Sequence, residues 1–130
     1  MEFLSLDDVL ALHDRLIEDT GGKRGILHRS TVASALERCR WGPFRHGATL
    51  TERAALLLRG VVQDHPFVDG NKRTAFSSAE TFLERNGLAI HADADAIVGF
   101  MLDAAQGLGL AAINRWLAQH HERLSGGIGQ

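Results

Sequence analysis

The spacing of apolar residues constrains this chain most. Along most of its length they recur three and four positions apart, and only two prolines, Pro43 and Pro66, interrupt the pattern. Glycines fall mainly between the periodic segments. Such a chain cannot settle as a sheet protein, because strands need a period of two. The expectation is an all-α, compact bundle of about six helices, with a loop or short hairpin flap near residues 43–50, where the period lapses. At 130 residues and 45% hydrophobic content, the chain can bury a core without disulfides or metal.

Local signals place the helices. Ser5 followed by Asp7 and Asp8 is an N-cap with acids at the positive end of the helix dipole. Leu6, Val9, Leu10, His13, Leu16 and Ile17 then share a face, and Gly21-Gly22 ends the helix. A second helix is expected from Ser30 to Trp41. A third opens at Thr51 with Glu52 and ends near His65, because Pro66 disfavours the helical region for the residue before it. A fourth runs from Lys72 to Arg85, closed by Asn86-Gly87. Leu88 to His91 reads as a short extended piece. A fifth helix, capped by Asp93 or Asp95, should bury Ile97, Val98, Met101, Leu102 and Ala105, and a sixth carries Ala112, Ile113, Trp116, Leu117 and His120. Residues 1–124 are expected to form a single domain and 125–130 a flexible tail.

Charge narrows the function classes. Fourteen Lys and Arg against sixteen Asp and Glu give a net charge of −2. Proteins that coat duplex nucleic acid or anionic lipid need a basic excess, so neither direct nucleic-acid binding nor membrane association is expected. No run of 18 apolar residues occurs, and the N-terminus lacks the basic and small-residue segments of a leader. The single Cys39 cannot form an internal disulfide, which fits a reducing, cytoplasmic setting.

Residues 64–77, DHPFVDGNKRTAFS, carry the chemistry. Backbone N–H groups of Asn71, Lys72 and Arg73 open the fourth helix, and an opening helix offers unpaired donors with partial positive charge. Gly70 lets the turn approach a ligand closely. Lys72 and Arg73 add two full charges at that end, where the dipole opposes them by about 0.3–1 kcal/mol each. An anionic ligand removes that conflict, so the pattern points to a phosphate site. His65, across the same loop, has the chemistry of a general base, and Asp69 that of a Mg²⁺ ligand bridging to phosphate oxygens. Phe67 is expected to plug into the core and pin the loop.

The stretch HPFVDGNKR resembles the signature of the Fic/Doc superfamily, whose Fic branch reads H-x-F-x-(D/E)-G-N-G-R-x-x-R. His65, Phe67, Asp69, Gly70, Asn71 and Arg73 match in place, while Lys72 stands for a glycine and Phe76 for the last arginine. That combination is similar to the Doc ("death on curing") branch, toxins of type II toxin–antitoxin modules. Leu10 to Asp14, the glycines at 21, 22 and 25, and Phe82 to Gly87 extend the likeness. The resemblance implies a toxin that binds ATP with Mg²⁺ and transfers the γ-phosphate to a threonine of translation elongation factor Tu, arresting protein synthesis. His65 would deprotonate the acceptor hydroxyl, Asp69 would hold Mg²⁺, and Asn71, Lys72 and Arg73 would clamp the phosphates, with Gly70 in the binding turn. It also implies a small antitoxin whose disordered C-terminal segment folds against the toxin. An internal inhibitory motif, (S/T)-x-x-x-E-(G/N), is absent. The alternatives are a Fic-type AMP transferase acting on a protein hydroxyl and a non-catalytic, antitoxin-binding scaffold or corepressor.

Taken singly, these residues have plainer readings: a helix-end histidine, a solvated helix start, an Asp-Gly turn. Only their conjunction in one loop points to a nucleotide. His13 reads as a hydrogen-bonded packing residue and Cys39 as inert. His120-His121 has no partner at metal-ligand spacing. Arg38, Arg40, Arg45 and His46 form a basic cluster, read either as solvated surface or as the flap that docks a target segment.

Overall fold

The structure, a computed structural model, describes residues 1–42, 44 and 47–124. Its elements in chain order are α1 (Leu6–Thr20), α2 (Arg29–Trp41), α3 (Leu50–Asp64), α4 (Asn71–Arg85), β1 (Leu88–Ile90), α5 (Ala94–Ala105), α6 (Leu110–Gln119) and β2 (His121–Arg123). Among the described residues six helices make the expected all-α bundle. None is long and apolar enough to cross a membrane.

α3 is the axis. Ala54, Ala55, Leu57, Leu58, Val61 and Val62 are wholly buried, because α2, α4, α5 and α6 all pack against this one helix. A fully buried Leu or Val contributes roughly 1.5–3 kcal/mol, so the central helix holds its position firmly. Gly60 permits a close crossing with α2: a Cβ there would come within 2.6 Å of the Ala35 Cβ. The end of α3 is thereby fixed, and the site begins at that end.

Caps set the helix starts. Ser5 and Asp8 form a reciprocal capping box on α1, and Asp93, rather than Asp95, caps α5. α3 begins earlier than the expected Thr51: Thr49 is its cap, paired with Glu52 in a second capping box. Thr49 and Thr51 both precede the apolar run, but only Thr49 stands three residues before Glu52, as the box requires.

One further expectation is corrected and one is borne out. α5 buries Phe100, Met101 and Ala104, leaving Val98 58% and Leu102 47% exposed, so its inward face is rotated from the one expected. The extended piece expected at Leu88 is there, as a strand (Leu88–Ile90) antiparallel to His121–Arg123, with Leu88 opposite Arg123 and Ile90 opposite His121. The partner strand extends the chain directly beyond α6, where the sequence reading has only the end of a helix. Around the expected flap, Phe44 and residues 47–49 belong to no helix or strand. Pro43, Arg45, His46 and the expected tail at 125–130 lie outside the described residues.

Candidate functional site

Every element of the site is local to the turn between α3 and α4, and two distant segments hold it. His65 ends α3 with φ 45° and ψ 59°, the only non-glycine residue with positive φ among those described. That left-handed conformation costs an L-residue roughly 1–2 kcal/mol. It turns the chain sharply at the histidine, which is exposed.

The loop then runs as a short edge against residues 25–28. The Pro66 carbonyl accepts from the N–H groups of Leu27 and His28 at 2.7 and 3.0 Å, and Val68 N–H donates to the Gly25 carbonyl at 3.1 Å. Ile26 and Phe67 form an antiparallel bridge. Phe67 is buried, as expected, and its ring stacks on His13 of α1 with centroids 3.9 Å apart.

Asp69 is gripped at three atoms. Gly70 N–H donates to Oδ1 at 2.9 Å, Lys23 N–H donates to Oδ2 at 3.2 Å, and His13 Nε2 donates to the Asp69 carbonyl at 2.8 Å. The Lys23 N–H first, and then that of Gly70, hold its carboxyl below the usual carboxylate range, with Arg73 and Lys23 adding charge. The group therefore remains an acceptor-only carboxylate through neutral and mildly acid pH. The glycine loop makes this possible: a Cβ on Gly22 would sit 2.8 Å from Asp69 Oδ2.

α4 opens without a side-chain cap. Its N-cap, Gly70, has φ 79°, and no acidic residue occupies the first turn. The Asn71 side chain instead closes on the loop, Oδ1 accepting from Phe67 N–H and Nδ2 donating to the Phe67 carbonyl. What Asn71 can offer an anion is thus its backbone N–H. Lys72 is exposed, and Arg73 leans back to donate to the Thr20 hydroxyl at the end of α1. Beside both cations lies an apolar groove of about 270 Å³, walled by Leu16, Phe76, Ile97 and Met101.

The structure thus brings the sequence-predicted residues His65, Asp69, Gly70, Asn71, Lys72 and Arg73 into one turn. His13 is the hydrogen-bonded packing residue expected of a histidine on a buried helix face, but sequence reasoning named neither its partner, the Asp69 carbonyl, nor the Lys23 N–H support. As a metal ligand, Asp69 suits Mg²⁺: each oxygen accepts one backbone N–H and retains a further lone pair. No group of three His, Cys, Asp or Glu suited to a metal occurs among the described residues. A cation at Asp69 would therefore take most of its remaining ligands from phosphates and water, as Mg²⁺ ordinarily does.

The chain matches the Fic/DOC family over residues 3–83, more than half its length. It belongs to that family. The matched span contains α1, the glycine loop and the whole α3–α4 turn. Among Fic/DOC relatives, the protein kinase doc of Escherichia phage P1 is 32% identical over 108 residues, covering 82% of this chain and 85% of that protein. Toxin Doc of Mycolicibacterium smegmatis is 50% identical over 46 residues, 35% of each chain. Both relatives carry the Doc name, which places this chain on the Doc side of the Fic/DOC family.

Proposed function

We propose that this chain is the toxin of a toxin–antitoxin module and a protein kinase. It transfers the γ-phosphate of ATP to a threonine of translation elongation factor Tu and so arrests protein synthesis. The observation that carries the reading is the start of α4, an uncapped helix end bearing Lys72 and Arg73 and no acid, one turn from His65. For stability alone that arrangement is unfavourable; for a triphosphate it supplies donors, dipole and charge together. The names of the two relatives, a protein kinase and a toxin, support it.

In this reading a ring nitrogen of His65 takes the proton of the acceptor hydroxyl, and the left-handed turn presents the ring to solvent where a protein substrate arrives. The backbone N–H groups at the start of α4, with the Lys72 ammonium, hold phosphate oxygens as charge spreads over them. Arg73 joins the clamp from its seat on Thr20. Asp69 is the residue that holds Mg²⁺, and the ion, when bound, neutralises charge on the phosphates. Asn71 keeps the loop closed, so the groups stay in register. Phe76 walls the apolar groove where a Fic-type arginine would face phosphate, and this favours γ-phosphate transfer over AMP transfer. The groove beside it suits a nucleobase or an apolar side chain of the antitoxin's C-terminal segment.

Purified protein incubated with elongation factor Tu and Mg·ATP tests the reading. Phosphothreonine on the factor, lost with His65→Ala and with added antitoxin, is the expected result. ATP binding without transfer to any protein would instead favour the scaffold alternative.

A further inference from the structure

We infer that His13 is a positioning residue for the phosphate-transfer loop: its Nε2–H holds the Asp69 backbone and thereby aims the Asp69 carboxylate. This rests on the kinase reading only for what the aimed carboxylate does. The aiming itself rests on geometry.

His13 is 2% exposed on the inward face of α1, 56 residues from Asp69 in sequence. A carbonyl oxygen can only accept, so Nε2 carries the proton that reaches the Asp69 carbonyl at 2.8 Å. The ring is held flat on Phe67, interplanar angle 9°, which leaves Nε2 one direction in which to point. Gly70 passes close by: a Cβ there would lie 3.7 Å from His13 Nε2 and 3.1 Å from Ile17 Cδ1. The same α1 segment thus touches the loop at Phe67, at Asp69 and at the left-handed Gly70.

The other end of Asp69 is held from the chain just past α1, where Lys23 N–H meets Oδ2. With its carbonyl fixed by His13 and its carboxylate by Lys23 and Gly70, Asp69 has little freedom to turn. A core histidine serving packing alone needs some hydrogen-bond partner; here the partner is the peptide that carries the proposed metal ligand. Groups that orient a metal ligand in this way typically change metal affinity by 10–100-fold when removed.

The test uses two variants of the full chain. His13→Phe keeps a flat ring against Phe67 and loses the donor, while His13→Gln restores an N–H donor without the ring. Amide hydrogen exchange at Gly70 and Val68 is measured alongside the Mg²⁺ concentration giving half-maximal transfer from ATP. In His13→Phe, exchange at Gly70 should rise at least tenfold with α3 unchanged, and the Mg²⁺ requirement should rise about tenfold. His13→Gln should recover most of both. Unchanged Gly70 exchange and Mg²⁺ requirement in His13→Phe would overturn the inference. So would equal losses in the two variants, since the donor would then be irrelevant. Should His13→Phe fail to fold, His13→Gln with near-wild-type exchange and Mg²⁺ requirement supports the inference, and His13→Gln with a loosened loop contradicts it. Absence of transfer by the wild type would defeat the kinase reading alone, and Gly70 exchange would still decide the role of His13.

Discussion

The side chain of Asn71 and the backbone of Phe67 form a closed pair, with Phe67 N–H donating to Oδ1 and Nδ2 donating to the Phe67 carbonyl, both at 3.0 Å. This pair ties the first residue of α4 to the loop before it. Asn71→Ala leaves a part-buried N–H and a carbonyl without partners, at a cost of about 2 kcal/mol. Chemical denaturation should show that loss, and transfer activity should fall further than stability does, because the loop opens before the bundle.

Lys72 stands at a helix start that favours acids. Lys72→Glu should raise the unfolding free energy by roughly 1 kcal/mol, removing one unfavourable charge–dipole interaction and adding a favourable one. The same variant should abolish nucleotide binding, as read by calorimetry. A stabilised, non-binding Lys72→Glu protein is the expected pairing; a destabilised one would remove the physical argument for an anion site.

His65 combines a strained backbone with the proposed base. His65→Gly relieves the left-handed strain at φ 45° and His65→Ala does not. Thermal unfolding should therefore rank His65→Gly about 1 kcal/mol above His65→Ala, while neither transfers phosphate.

Gly22 lies against the Asp69 carboxylate. Gly22→Ala places a Cβ 2.8 Å from Oδ2, at a backbone φ of 117° that alanine tolerates poorly. The helical circular dichroism should persist, since the glycine loop lies outside every helix, while Mg²⁺-dependent nucleotide binding falls at least tenfold.

Cys39 supplies a pH test of the core. Burial pushes its thiol from 9.0 up to about 12. Folding therefore disfavours the thiolate, so stability is full below pH 9.0 and declines as pH rises from there toward 12. Cys39→Ala should remove this alkaline decline, and the native thiol should resist alkylation at about pH 8.5 until denaturant is added.

How far the fold and site are legible in the sequence follows from how local each feature is. The turn from His65 to Arg73 is contiguous, so its residue types can be read together along the chain. His13 and Lys23 meet Asp69 across 56 and 46 residues, and nothing in a local window pairs them. The strand at His121–Arg123 is three residues long and carries no alternation that would announce it. α5 misleads because Ile97, Val98, Phe100, Met101 and Leu102 are apolar nearly all round the helix, so packing against α3 and α4 selects the buried face. The cap of α3 is a choice between two nearby threonines, settled by the reach of Glu52.

The most direct measurement is transfer from ATP labelled at the α position in one reaction and at the γ position in a parallel one, with elongation factor Tu as acceptor. Label on the factor only from γ-labelled ATP, and none with His65→Ala, is the predicted result. Label only from α-labelled ATP would contradict the account and make this loop an AMP-transferring one.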